Sequence, residues 1–319
     1  MIQKIKALLR EVISFIKSDF DAVSYLYTLT FCGICIFVNY TYNLYDTFLV
    51  PSYSSGWSML YFSIFYMAAY FMVSIPVLII RKQTAILTQP LYYVKAIFFI
   101  VSFAVVVGNF TYQDLKIESF TYLENHFLIR LIFFFKANIT TLPLLIIAKY
   151  LWDRKEKGLY GLTISNKHIA AYMSLFLFLL PFLVWISFTP DFMRAYPIYR
   201  YWWYEGIFHW ENWQHTIIFE SVYASFYVIT ELVMRGALII GMASILGRHA
   251  ILPMVAMYCV LHFGKPIGET ISSIFGGYIL GVLAYQTRHI WGGVIIHIAI
   301  ALSMEVMGFI HYYLGIHKS

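Results

Sequence analysis

Charge is scarce in this chain. Asp, Glu, Lys and Arg make up 12% of its 319 residues, where a soluble globular domain carries about a quarter. With 61% hydrophobic residues and a mean hydropathy of +0.72, a single water-soluble core is excluded. Cysteine is also rare, with three in all, which excludes a disulfide framework. Cys32 and Cys35 form one CxxC inside an apolar run. No second pair completes a structural zinc site. Internal repeats and low-complexity tracts are absent. The first twenty residues contain no uninterrupted apolar stretch of the kind a cleavable signal needs. The net charge of +6 does not imply nucleic acid, because the basic residues fall in alternating loops.

What remains is an all-α polytopic membrane protein. Residues 1–22 open with Ile2, Ile5, Leu9, Val12 and Ile16 on one stripe and Lys4, Lys6, Arg10 and Lys17 off it. That pattern predicts an amphipathic helix on an anionic leaflet of the lipid bilayer. About nine apolar runs follow, each judged against the roughly 20 residues a span needs: 23–43, 57–80, 92–112, 127–148, 168–188, 215–246, 250–263, 268–286 and 291–314. Thirteen Lys and Arg, from Lys4 to Arg288, then share the N-terminal side. Lys116, Arg194, Arg200, Lys265 and Lys318 take the other. By the positive-inside rule the N-terminus is cytoplasmic, as in a bacterial inner-membrane protein. Residues 149–167 read as a polar linker between a four-span module, 23–148, and a five-span rear part, 168–319. "YRYWWYEGIFHWENW", 199–213, is either an interfacial aromatic belt or a gate over an intramembrane site.

Ionisable groups within a membrane are functional candidates by default. Lys95, Arg130 and Lys136 in the front half read as snorkelling side chains. The rear half holds Glu231, Arg235, His262, His297 and Glu305, with Glu269 near a span end beside its i, i+4 partner Lys265. Glu231 and Arg235 lie four residues apart and meet on one helix face, as a structural ion pair or as a catalytic acid with its positioning arginine. His262 and His297 can serve as bases, as proton relays, or as ligands for zinc or another divalent metal with a carboxylate such as Glu305. Cys259 reads as a buried thiol. Gly277 and Gly281 stand at GxxxG spacing, which suits close helix packing.

The order of these motifs resembles the CPBP family of intramembrane proteases, which includes the CAAX prenyl endopeptidases and bacteriocin-processing proteins. The family pattern is E-E-x-x-x-R-G, then F-x-x-x-H, a Gly-rich helix, and H-x-x-x-N. This chain has "TELVMRG" at 230–236, "YCVLH" at 258–262, and "HIAIA" at 297–301. The resemblance spans roughly residues 170–319. It implies an endopeptidase acting on membrane-embedded or lipidated peptides, with Glu231, Arg235, His262 and His297 in its motif positions. It also implies that the first glutamate and first histidine activate water, while the second histidine and the asparagine steady the oxyanion. Here the first glutamate is Thr230 and the asparagine is Ala301. Both halves of that mechanism are therefore altered. A catalytically silent scaffold and a proton-coupled transporter stand as the alternatives.

Overall fold

The computed structural model describes residues 2–109, 111–156, 158–163 and 169–316. Helix α1 (Ile2–Asp19) is followed by α2 (Ala22–Tyr42), α3 (Ser58–Ile80), α4 (Pro90–Gly108) and α5 (Tyr122–Trp152). After residue 168 come α6 (Ile169–Ile186), the short α7 (Pro190–Ala195), α8 (Asn212–Glu231), a π-helical continuation (Leu232–Gly241), α9 (Ala243–Leu246), α10 (Ile251–Leu261), α11 (Ile267–Thr287) and α12 (Trp291–Tyr313).

Local chemistry sets several helix starts. The Asp21 side chain accepts from the Val23 amide at 3.1 Å and caps α2. Thr121 and Glu124 form a reciprocal capping box at α5, satisfying two amides that have no partner inside the helix. In α1 the buried line is Leu8, Val12 and Phe15, whereas Leu9 faces outward. The inward face is therefore turned by one residue from the expected stripe. The Arg81 guanidinium donates to both Asp19 carboxylate oxygens, at 2.9 and 3.1 Å.

Seven helices of the described chain are long and apolar enough to cross a membrane, against the nine expected. Two causes account for the difference. The described side chains of α6, Tyr172–Ile186, form a shorter apolar helix. The runs 215–246 and 250–263 form one helical stretch from Asn212 to Leu261, with the interruption confined to a turn at Gly247, whose φ is +55°. The rear helices are the more deeply enclosed. Every residue from Ile229 to Met242 is buried, at the centre of the packing.

After α5 the described chain meets the core at Asp153, Tyr160 and Gly161. Helix α5 continues to Trp152, and Tyr160 is fully buried. Its backbone carbonyl and ring occupy the space a Cβ would need on Gly236 and Gly241. Lys95, expected to snorkel, is instead buried and paired with Asp153 at 2.7 Å.

Candidate functional site

The π-helical stretch begins immediately after Glu231, so Glu231 and Arg235 sit at the junction of two helix types. Arg235 Nη1 donates to Glu231 Oε1 at 2.8 Å, and the two side chains are 1% and 0% exposed. His297, from the second turn of α12, approaches the same oxygen, with Nδ1 at 3.0 Å. Glu231 Oε1 therefore holds both a guanidinium and an imidazole. The other oxygen, Oε2, lies where a Cβ on Gly293 would come within 2.1 Å. Only glycine at 293 lets α12 approach this closely.

Tyr258 links the remaining members. Its ring carries the Arg235 guanidinium at 4.1 Å, a cation–π contact. It lies 4.5 Å from the His262 ring and 6.3 Å from the His297 ring, centroid to centroid. Gly277 makes room for it, since a Cβ there would meet Tyr258 Cδ1 at 2.9 Å. Gly281 does the same for Met254. The GxxxG pair thus seats α10 against α11 and fixes the tyrosine between the two histidines. Tyr227 closes the other side, 4.3 Å from His297 between ring centroids.

Both imidazoles are fixed in one tautomer by their partners. His262 Nδ1 lies 2.8 Å from the Tyr258 carbonyl oxygen, which can only accept, so Nδ1 carries the hydrogen. His297 Nδ1 donates to the Glu231 carboxylate in the same way. Each ring then presents Nε2 as a bare lone pair. That arrangement also suits a metal ligand. The donor set does not: among the described residues no three His, Cys, Asp or Glu side chains gather where one ion could bind. Glu231 Oε1 is committed to Arg235 and His297, and Oε2 is packed against Gly293. The proposed third ligand, Glu305, accepts from the Ile198 and Tyr199 amides at 2.8 and 3.1 Å. A catalytic zinc site uses three protein ligands, and these residues do not supply them.

The two positions that depart from the motif have other local roles. The Thr230 hydroxyl donates to the Phe226 carbonyl at 3.0 Å, a bond back along its own helix. Ala301 is buried in a cluster with Phe127, Tyr199, Tyr204, Phe219 and Tyr223. Cys259 is buried, with a free thiol.

The aromatic segment after α7 is bonded to the bundle at several points. Besides the Glu305 contacts, the Tyr196 hydroxyl donates to Glu269 at 2.8 Å and accepts from Lys265 at 3.2 Å. The tyrosine thereby stands between the expected Lys265–Glu269 pair. Burial, reinforced by the Glu269 carboxylate, pushes the Tyr196 hydroxyl well above the usual phenol range. It remains a donor at any physiological pH. Arg130 reaches the Ile198 carbonyl at 2.6 Å, and Trp202 stacks on Tyr312 at 3.5 Å.

Sequence spacing identified Glu231, Arg235, His262 and His297, and paired Glu231 only with Arg235. The geometry also pairs it with His297. Tyr258 and Gly293 were not singled out. Tyr258 is the first residue of the "YCVLH" stretch, and Gly293 belongs to the glycine pair near the start of α12.

Residues 212–303 match the family model described as Rce1-like, Type II CAAX prenyl endopeptidase. No curated protein and no solved structure matches the chain. The matched stretch, under a third of the chain, contains Glu231, Arg235, Tyr258, His262, Gly293 and His297, so over these residues this polytopic membrane protein is similar to the CAAX prenyl endopeptidases.

Proposed function

We propose that the protein is an intramembrane endopeptidase that hydrolyses a peptide bond near the membrane anchor of a lipidated or membrane-embedded peptide. One observation carries this reading. Glu231 has no exposure, while His297, bonded to it at 3.0 Å, keeps 17% of its side chain accessible. The pair therefore presents an oriented imidazole, not a carboxylate, to an incoming water. This is the arrangement in which an acid fixes the tautomer of a histidine base.

In this mechanism His297 Nε2 takes a proton from water as the oxygen attacks the carbonyl carbon. The imidazolium then returns that proton to the leaving nitrogen as the C–N bond breaks. Glu231 stabilises the imidazolium, and Arg235 holds Glu231 in place. His262, with its Nε2 lone pair, accepts the water's second hydrogen bond. No step needs a glutamate at 230. The N-terminus lies on the cytoplasmic side in this reading, consistent with the bias of Lys and Arg.

The test uses purified protein in liposomes with a membrane-anchored peptide, and products identified by mass spectrometry. Wild type should cleave, His297→Ala should lower the rate at least about hundredfold, and a metal chelator should leave it unchanged. Cleavage by His297→Ala at the wild-type rate would overturn this mechanism. A second reading, a scaffold that binds such peptides without cutting them, is favoured by the local roles of Thr230 and Ala301. It predicts peptide binding by wild type with no product.

A further inference from the structure

The motif match begins at residue 212 and leaves the front half of the chain without a role. The Glu231–His297 pair spans two helices, and both are held near one end by residues 153–156 and 158–163. On the π-helical side, Lys95 Nζ donates to the Gly241 carbonyl and to Asp153 Oδ1, each at 2.7 Å. The Tyr160 hydroxyl donates to Asp153 Oδ2 at 2.9 Å. The Tyr160 backbone and ring press on Gly236 and Gly241, and Phe99 of α4 backs the ring at 5.5 Å between centroids. On the α12 side, the Ile290 amide donates to the Gly161 carbonyl at 3.1 Å. Trp291 Nε1 donates to the Thr163 carbonyl, and Arg288 pairs with Glu156 at 2.6 Å.

The chemistry of this junction is unusual for a buried site. A buried ion pair contributes little net stability, because desolvation offsets its Coulomb gain. What it supplies is a fixed geometry. Each oxygen of Asp153 has its own donor, and the Lys95 ammonium bonds both a carboxylate and a helix carbonyl. His297 lies only six residues beyond Trp291, about 9 Å along an ideal helix. Small shifts at the junction therefore pass into the distance between Glu231 and His297.

We propose that Lys95, Asp153 and Tyr160 are positioning residues for the reaction: they and the chain around them clamp the ends of the two helices that carry Glu231 and His297, and this is how α4 and the chain that follows α5 take part in catalysis. The proposal rests on reading Glu231–His297 as the reacting pair, so its test carries one measurement that does not need turnover.

The full-length protein in detergent or lipid is labelled with 15N-histidine. The His297 signal is assigned by its absence in His297→Gln. In wild type that ring should be the Nδ1-protonated tautomer. Tyr160→Phe keeps the ring against Gly236 and Gly241 and removes one bond to Asp153. It should convert His297 to a mixture of tautomers and lower kcat about tenfold or more, with KM within about twofold, as expected for a misaligned reacting group. Lys95→Met should do the same more strongly, and Lys95→Arg should recover part of the loss. An unchanged His297 tautomer in Tyr160→Phe overturns the proposal, whatever happens to stability or rate. If wild type shows no turnover, the peptidase reading fails. The tautomer shift, present or absent, then still decides whether the clamp sets the pair.

Discussion

Arg235 is 1% exposed, and its Nε and Nη2 have no hydrogen-bond partner among the described residues. Glu231 Oε2 is equally enclosed and equally unpaired. A pair built for stability would satisfy these atoms, because an unmade buried bond costs about 1–3 kcal/mol. The contrast yields a prediction at the level of single residues. Removing one partner strands a buried charge and should destabilise by about 3–5 kcal/mol, whereas removing both should be close to neutral. Glu231→Gln should therefore melt well below wild type, and Glu231→Gln with Arg235→Met should recover most of that loss. Neither should cleave. Recovery of activity together with stability in the double variant would remove Glu231 from the mechanism. This pair was legible in the sequence because its partners lie one turn apart on one helix. The Lys95–Asp153 pair was not, because its partners are 58 positions apart and each alone resembles an ordinary end-of-helix charge.

Among the elements, the π-helical run and the aromatic segment were hidden for a related reason. Periodicity distinguishes apolar from polar faces, but residues 232–241 are buried on every side, so the pattern carries no phase from which a change of helix type could be read. The segment 199–213 was visible as aromatic, yet the choice between belt and gate depended on contacts with distant helices. Glu305 makes the decisive one, holding the Ile198 and Tyr199 amides from α12, two turns beyond His297. Glu305→Ala should release this segment while leaving α12 folded. Hydrogen exchange should then rise at least about tenfold at Ile198 and Tyr199, with no change at Ile296 or His297. Each unmade bond at a buried amide costs about a kcal/mol or more, enough for that factor. Equal exchange in the two proteins would mean that the Trp202–Tyr312 stack and the Tyr196 bonds hold the segment without Glu305.

Across the whole molecule, the N-terminal face is joined by a second buried charge cluster, which connects α1 to both halves of the bundle. Arg81, after α3, bonds Asp19 of α1, the Ser24 hydroxyl of α2 at 3.2 Å, and His249 Nδ1 at 3.1 Å in the turn before α10. The last contact requires His249 Nδ1 to accept, since a guanidinium only donates. Arg248 adds a bond from the same turn to the Ser18 carbonyl at 2.9 Å. The amphipathic helix is thus fastened by charge at its C-terminal end and by Leu8, Val12 and Phe15 along its inner face. Its attachment should be cooperative. Arg81→Ala leaves Asp19 buried without its bidentate partner, at a cost of about 3–5 kcal/mol, comparable with what burial of two or three large apolar side chains contributes. Detachment of α1 therefore becomes competitive with burial of a carboxylate left with the Tyr25 hydroxyl at 3.0 Å and the half-exposed Arg248 at 3.9 Å. A cysteine placed at Leu8, 5% exposed in the intact protein, reports the outcome. With Cys32, Cys35 and Cys259 replaced by alanine, a polar maleimide should label Leu8→Cys slowly in the parent and at least about tenfold faster with Arg81→Ala. Adding Asp19→Asn should slow it again, because the stranded charge is gone. Labelling that stays slow in Arg81→Ala would show that the apolar face alone holds α1, and that the cluster serves the α3–α10 junction instead.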